Sequence, residues 1–255
     1  KKVEAIVGEK VEEKVEKKVE AIVGEKVEEK VPDNNELEQE NYELSDLKNI
    51  RFLIEKNRIC GLNVTIPYKE EVINYIDKLD DNCTNIGAVN TLVPQYSGNR
   101  LVSIKGYNTD TYGFSQSIKP YLRSYHENVL ILGTGGASKA VSHVLKQLNL
   151  KVNYITRKPT VDSKDFFGWN ELNENMVKYH KFIINTTPIG MFPNHNQEFS
   201  FPYQAITNEH FVMDIIYNPE ETNFLKKAKK MGANTINGYS MLVFQALKSW
   251  DIWNS

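Results

Sequence analysis

The chain has 255 residues, 40% of them hydrophobic, which is enough for two domains of ordinary size with buried cores. Its 31 basic and 33 acidic side chains almost cancel, so the net charge gives no reason to expect binding to nucleic acid or to an anionic membrane. Because no apolar run is long enough to span a bilayer and the first residues lack a signal-peptide core, we expect a cytoplasmic protein that binds small molecules.

The first 31 residues form an internal repeat. Residues 1–15 recur letter for letter as residues 17–31, and valine stands at every fourth position. Only Val, Glu, Lys, Ala, Ile and Gly occur in the two copies, so we interpret the repeat as a low-complexity arm, with a specific binding role as the alternative. The motif VEAIV within it is also compatible with a strand.

An ordinary globular composition begins at Pro32. We predict a strand near Tyr42, a helix over LKNIRFLIEKN (47–57) and a second strand over 61–66, which Pro67 limits. The order strand, helix, strand favours parallel pairing of the two strands.

The two cysteines, Cys60 and Cys83, form neither a CxxC pair nor a disulfide framework. The five histidines are scattered along the chain without the spacing of metal ligands. We therefore expect reduced thiols and no structural metal.

The segment VLILGTGGASKAVSHVLKQL carries the clearest local signal, an apolar strand (129–132) that runs into Gly133, Gly135 and Gly136. A helix with one apolar face is predicted to follow, and its face comprises Ala137, Ala140, Val141, Val144, Leu145 and Leu148. Strand, glycine turn and helix together are the context of a dinucleotide-binding fingerprint, in which the helix N-terminus faces the pyrophosphate. We expect Ala137 or Ala140 to keep this helix close to the sheet.

The next predicted strand ends in YITRK, where an NAD site usually carries an acidic residue. Arg157 and Lys158 stand in that place instead, and their charges suit the 2′-phosphate of NADP. The sequence therefore favours NADP over NAD, with a solvated turn as the alternative.

Two further strands are predicted at 182–185 and 211–215, which suits a doubly wound parallel sheet. Polar residues follow both strands, Thr186 and Thr187 after the first and Tyr217 after the second. The carboxyl ends of such strands are where open α/β sheets bind ligands, although residues such as Asn185 and Thr187 also serve to fix turns.

Seven segments, taken together, resemble the consecutive signature blocks of the shikimate dehydrogenase family, in the family's order. They are NVTIPYK (63–69), IGAVNTL (86–92), GYNTDTYGF (106–114), LGTGGASKAV (132–141), INTTPIGM (184–191), DIIYNPEETNFL (214–225) and NGYSMLVFQA (237–246).

The resemblance implies a two-domain α/β enzyme of the aromatic amino acid (chorismate) pathway that reduces 3-dehydroshikimate reversibly to shikimate with NADPH. It implies a mixed α/β substrate domain at 1–112 plus 238–255 and a Rossmann-like NADP domain at 113–237. A quinate or aminoshikimate dehydrogenase and a nucleotide-binding protein without turnover are the alternatives. We expect a monomer or a homodimer.

The resemblance also implies that Lys69 and Asp110 are the catalytic pair. An ammonium near a ketone oxygen can stabilise the growing negative charge and supply the proton, and a carboxylate can hold that ammonium in place. The implied substrate-binding residues are Thr65, Lys69, Asn90, Asp110, Tyr217 and Gln245. The cofactor-binding residues, from the fingerprint and the resemblance together, are Gly133, Gly135, Gly136, Ala137, Ser138, Thr156, Arg157, Lys158, Ile215 and Gly238.

One departure from the family pattern lies in the N-terminal repeat. Members of the family normally begin with a strand and a serine-x-serine motif whose hydroxyls bind the substrate carboxylate, and the repeat stands in that place without serine. Loss of two hydrogen bonds to a charged group would weaken substrate binding, by about 1.5–3 kcal/mol for each bond.

Overall fold

The computed structural model describes residues 2–3, 42–43, 46–65, 67–159 and 163–255. The predictions about the N-terminal repeat therefore lie outside the described residues, apart from strand β1 (Lys2–Val3). β1 pairs antiparallel with β2 (Tyr42–Glu43), which confirms the strand predicted near Tyr42. No helix in the described ranges has the length and apolarity needed to cross a membrane.

A mixed four-stranded sheet occupies the first half of the chain. Its strands are β3 (Leu62–Asn63), β4 (Lys78–Leu79), β5 (Thr91–Ser97) and β6 (Arg100–Tyr107). The strand order is β3-β5-β6-β4, in which β5 and β6 form an antiparallel hairpin, β3 pairs antiparallel with β5, and β4 pairs parallel with β6. Two 3-10 helices (Leu47–Asn49 and Glu71–Tyr75), α1 (Ile50–Asn57) and α2 (Asp81–Ile86) accompany this sheet.

The helix predicted over 47–57 is confirmed as a 3-10 turn that α1 continues. The carboxylate of Asp46 accepts a hydrogen bond from the Lys48 backbone N–H at 2.9 Å and so caps the start. Leu47, Ile50 and Ile54 are buried, and their spacing of three and four residues gives one apolar face against the mixed sheet. Arg58 ends α1 in a left-handed conformation with φ of 51°.

Parallel pairing of the strands near 42 and 61–66 is wrong for the described residues, because β2 pairs with β1 and β3 pairs antiparallel with β5. β3 is also shorter than predicted, with two residues. The long hairpin of β5 and β6 explains the error, because β3 pairs with the seven-residue strand β5 of this hairpin instead of with β2. The order of elements near residue 50 carries no information about that hairpin.

A six-stranded parallel sheet occupies the second half of the chain. Its strands are β7 (Asn128–Leu132), β8 (Lys151–Thr156), β9 (Phe166–Gly168), β10 (Phe182–Asn185), β11 (Phe211–Asp214) and β12 (Asn234–Ile236). The strand order β12-β11-β10-β7-β8-β9 reverses between β7 and β10, as in a doubly wound Rossmann sheet. The predicted fold class is confirmed, and the reversal creates a ligand crevice at the carboxyl ends of β7 and β10.

The other helices of the described residues are α3 (Asp110–Ile118), α4 (Gly136–Gln147), α5 (Glu174–Tyr179), α6 (Asn223–Lys230) and α7 (Tyr239–Trp253), with a 3-10 turn at Tyr203–Ala205. On α4, four members of the predicted apolar face are buried: Ala140, Val141, Val144 and Leu145. Leu148 is 45% exposed, which corrects the prediction. It follows the last helical residue, and Asn149 then turns the chain with φ of 58°.

Helices α3 and α7 run from one sheet to the other. Phe114 of α3 and Met241 of α7 belong to the core of the parallel sheet, whereas the Trp253 indole N–H donates to the Leu92 carbonyl of the mixed sheet at 3.1 Å. Gly113 lets the helices cross closely, because a Cβ there would lie 2.5 Å from the Met241 carbonyl oxygen. The domain division at 112/113 and 237/238 stays a prediction, and α3 spans the first of these boundaries.

Candidate active site

Lys69 and Asp110 form an ion pair between the two sheets, with 2.6 Å between Nζ and Oδ2. Lys69 lies on the turn after β3, and the Val89 backbone N–H donates to its carbonyl at 2.7 Å. Asp110 is the first residue of α3, where the helix dipole favours a negative charge. The two side chains are only 15% and 5% exposed, so the pair is screened little by solvent and its geometry is restrained.

The Asn90 side chain completes the environment of the Asp110 carboxylate. Its Nδ2 lies 3.1 Å from Asp110 Oδ1 and 3.1 Å from Gln245 Oε1. The Thr109 backbone N–H donates to Asn90 Oδ1 at 2.7 Å, and this bond fixes which end of the amide faces the carboxylate. Lys69, Asn90, Asp110 and Gln245, four of the six predicted substrate-binding residues, therefore share one hydrogen-bonded cluster.

Three buried hydroxyls that were not predicted from the sequence form hydrogen bonds with one another next to this cluster. Thr91 Oγ1 lies 2.8 Å from Ser249 Oγ and 3.2 Å from Thr109 Oγ1, and Ser249 Oγ lies 3.0 Å from Thr109 Oγ1. Thr109 also accepts from Asn90 Nδ2 at 2.9 Å. Two of them could have been identified from the sequence, because Thr91 directly follows Asn90 and Thr109 directly precedes Asp110 in the motifs.

The other two predicted substrate-binding residues are Thr65 and Tyr217. Thr65 is half-buried and begins the Lys69 turn, since the Tyr68 backbone N–H donates to its carbonyl at 2.9 Å. Tyr217 follows β11 and is 39% exposed. Their contacts with a substrate stay predictions.

The glycine turn after β7 has the geometry of a phosphate cradle. Gly133 has φ of 107°, and a Cβ there would lie 2.9 Å from Thr186 Oγ1, so only glycine fits without strain. Gly135 precedes the first residue of α4, and no described atom lies within 4 Å of the position its Cβ would take. The backbone at Gly135 therefore leaves room for a pyrophosphate at the helix N-terminus.

Other predicted cofactor residues surround this turn. Ser138 is buried, and its hydroxyl donates to the Gly135 carbonyl at 2.7 Å, so it stabilises the turn from within. Ala137 is half-buried on the first turn of α4. Ala140 is buried and clusters with Ile86 and Ala88 of the first half of the chain. That Ala137 or Ala140 keeps α4 close to the parallel sheet stays a prediction.

The strand next to β7 ends at the predicted 2′-phosphate site. Thr156 is the last residue of β8, and its Oγ1 lies 3.2 Å from Thr134 Oγ1 of the glycine turn. Arg157 and Lys158 follow it directly and are exposed. Their charges thus lie at the carboxyl end of β8, beside the glycine turn.

Ile215 and Gly238 meet at the carboxyl end of β11. The Gly238 backbone N–H donates to the Ile216 carbonyl at 3.0 Å, and a Cβ at Gly238 would lie 1.9 Å from the Ile215 carbonyl oxygen. Any larger residue at 238 would displace the start of α7, the helix that carries Gln245.

A buried carboxylate, Asp214, ties together the two loops that follow β10 and β11. Its oxygens accept from Asn185 Nδ2 at 3.0 Å, Thr222 Oγ1 at 2.7 Å and the Ile216 backbone N–H at 3.1 Å. Asn185 in turn accepts hydrogen bonds from the Thr187 backbone N–H and hydroxyl. Asn185 and Thr187 therefore fix a turn, which is the alternative to ligand binding that the sequence left open. Burial raises the pKa of Asp214 to about 6, although its three hydrogen bonds oppose the shift.

The raised pKa of Asp214 predicts a specific pH dependence of stability. The folded state binds this proton more tightly than the unfolded state, so the stabilisation is complete below about pH 4 and is lost as the pH rises through about 6. In urea unfolding, we expect the wild type to lose on the order of 2–3 kcal/mol relative to Asp214→Asn between these pH values. The exposed Asp165→Asn serves as control, and parallel curves for wild type and Asp214→Asn would contradict the assignment.

Comparison with known proteins agrees with this arrangement. The sequence profile of the shikimate dehydrogenase substrate binding domain matches residues 24–92. The shikimate dehydrogenase (NADP(+)) of Methanococcus vannielii is 38% identical over 224 residues, which cover 82% of this chain and 77% of that protein.

Two solved structures share the fold. A shikimate dehydrogenase crystallised with NADP+ is 34% identical with a TM-score of 0.68, over 81% of this chain and 75% of that chain. A quinate dehydrogenase from Corynebacterium glutamicum, crystallised with NAD, is 27% identical with a TM-score of 0.69, over 82% of this chain and 77% of that chain. The identity and coverage of these relatives, together with the site geometry, show that this chain belongs to the shikimate dehydrogenase family.

Proposed function

We propose that this protein is an NADP-dependent shikimate dehydrogenase, an oxidoreductase that reversibly reduces the ketone of 3-dehydroshikimate to the hydroxyl of shikimate. The observation that carries the proposal is the nearly buried pair of Lys69 and Asp110 within a cluster of amide groups. The NADP-dependent relatives support the choice of reaction and cofactor.

The residues around the glycine turn fit NADP. The backbone of Gly133, Gly135 and Gly136 would receive the pyrophosphate, and Arg157 with Lys158 would bind the 2′-phosphate. Ile215 and Gly238 would lie beside the nicotinamide. When bound as NADPH, the cofactor supplies the hydride.

Lys69 provides the proton and the charge stabilisation for the ketone oxygen. As the carbonyl carbon gains the hydride, negative charge grows on the oxygen, and the Lys69 ammonium donates a proton to it. The product is a neutral alcohol, and the lysine then regains a proton from solvent. Asp110 holds the ammonium in position through this ion pair.

The amide groups give the site its selectivity for a polyhydroxylated ring. The Thr109 backbone N–H positions Asn90, and α7 positions Gln245. Both amides would bind ring hydroxyls, and Thr65 and Tyr217 would add further contacts. A ring that lacks one hydroxyl would leave a buried partner unpaired, which costs about 1–3 kcal/mol.

A quinate dehydrogenase is the second candidate, because a structural relative with that activity shares the fold. Arg157 and Lys158 favour NADP over the NAD that accompanies that relative. We propose that the enzyme acts in the cytoplasm as a monomer or homodimer; the free thiols of Cys60 and Cys83 agree with a reducing compartment.

The experiment that separates these candidates follows NADPH absorbance with 3-dehydroshikimate, with 3-dehydroquinate and without substrate, and then repeats the series with NADH. We expect turnover with 3-dehydroshikimate and NADPH. Turnover only with 3-dehydroquinate and NADH would overturn the assignment, and binding of NADPH without turnover on either ketone would leave a nucleotide-binding protein.

A further inference from the structure

The turn that carries Lys69 is in direct contact with the helix of the glycine turn. A Cβ at Gly136, the first residue of α4, would lie 3.4 Å from Lys69 Cβ and 3.8 Å from Glu70 Cγ. The first residue of α4, next to the predicted pyrophosphate site, therefore lies close to the side chains of Lys69 and Glu70.

An ion pair closes the same contact. Lys139 of α4 pairs through Nζ with Glu70 Oε2, and Glu70 directly follows Lys69 in the chain. The next residue of α4, Ala140, packs in a small apolar cluster with Ile86 and Ala88. Ala88 directly precedes Val89, whose backbone N–H donates to the Lys69 carbonyl. The ion pair and the apolar cluster therefore both connect α4 to the Lys69 turn.

We propose that Glu70 and Lys139 are positioning residues that couple the cofactor site to the catalytic turn. The proposal rests on the proposed function and adds a property to it: NADPH bound at the N-terminus of α4 fixes this helix, and the ion pair transmits that fixation to Lys69 and Asp110. Occupancy of the cofactor site therefore raises the affinity for shikimate, and by thermodynamic reciprocity shikimate raises the affinity for NADPH by the same factor.

The size of the effect follows from the exposure of the pair. The side chains of Lys139 and Glu70 are 39% and 45% exposed, so solvent screens their attraction. Exposed pairs contribute about 0.2–1 kcal/mol, and the upper part of this range, about 0.4–1 kcal/mol, corresponds to a two- to five-fold change in an affinity ratio. The contribution falls as the salt concentration rises.

The test measures the affinity for shikimate by calorimetry with and without saturating NADPH, two reduced ligands that do not react with each other. We expect Glu70→Gln to lower the ratio of the two affinities two- to five-fold. Lys139→Met should lower it equally, and the double variant should lower it no further, because one interaction is removed in all three. High salt should reduce the wild-type ratio towards that of the variants.

The matched control is the pair of Lys227 and Glu198, whose side chains are 45% and 37% exposed and which lies away from the Lys69 turn. Glu198→Gln with Lys227→Met should leave the ratio unchanged. If both ligands bind but Glu70→Gln keeps the wild-type ratio, the coupling is overturned while the proposed function stands. If neither ligand binds the wild type, the proposed function itself fails.

Discussion

Replacement of Lys69 by alanine is expected to lower the turnover rate by about 10²–10⁴. The variant loses both the proton donor and the charge that stabilises the ketone oxygen in the transition state. The affinity for NADPH should stay nearly unchanged, because the pyrophosphate and 2′-phosphate sites belong to the turns after β7 and β8. Steady-state kinetics with 3-dehydroshikimate, together with calorimetric NADPH binding, measure the two quantities separately.

The control for this prediction is Lys178→Ala, which removes an exposed lysine that pairs with Glu174 on α5. Its turnover rate should equal that of the wild type. If Lys69→Ala turned over at nearly the wild-type rate, Lys69 would be a binding residue and the assignment of the proton donor would be wrong.

The second large effect is expected at Arg157. Arg157→Ala should raise the Michaelis constant for NADPH far more than that for NADH, because only NADPH carries a 2′-phosphate. A charge-assisted contact contributes about 1.5–3 kcal/mol, or roughly 10- to 150-fold in the Michaelis constant. Parallel titrations with the two cofactors, at the same concentration of 3-dehydroshikimate, give the ratio.

Lys151→Ala is the matched control for Arg157. Lys151 is exposed and begins β8, at the opposite end of the strand that Arg157 follows. It should leave the preference for NADPH unchanged. Equal changes for NADPH and NADH in Arg157→Ala would remove the 2′-phosphate role of this residue.

The parallel sheet could be predicted from the sequence because its central strands are buried on both faces. Such strands are continuous apolar runs that end in glycine or polar residues, and the predicted ranges 129–132 and 182–185 lie within one residue of β7 and β10. Gly133 could be predicted in the same way, because a glycine directly after such a strand marks a tight turn. Its φ of 107° is one that other residues rarely adopt.

The mixed sheet was harder to predict because its pairings depend on distant segments. β3 has only two residues, and its partner β5 begins 28 residues after β3 ends. No local pattern in so short a strand distinguishes parallel from antiparallel pairing. Leu148 shows a related limit, since an apolar residue at helical spacing stays on the surface once the helix has ended.

The candidate site divides in the same way. Lys69, Asn90, Asp110 and Gln245 could be named from motifs, and the structure joins them by hydrogen bonds. The hydroxyls that support them could not be predicted, because Ser249 and Thr91 are 158 residues apart in the chain and meet only in the fold. The role of Asp214 is likewise visible only when its burial and its partners are known.

We expect the reaction to take place at the Lys69 and Asp110 pair between the two sheets. The most direct measurement is a crystal structure of the enzyme with NADPH and shikimate. We predict that Lys69 Nζ lies within about 3.2 Å of the shikimate hydroxyl oxygen that derives from the ketone, with the nicotinamide on the side of Ile215 and Gly238. A shikimate ring bound away from Lys69, with another proton donor beside that hydroxyl, would contradict the account.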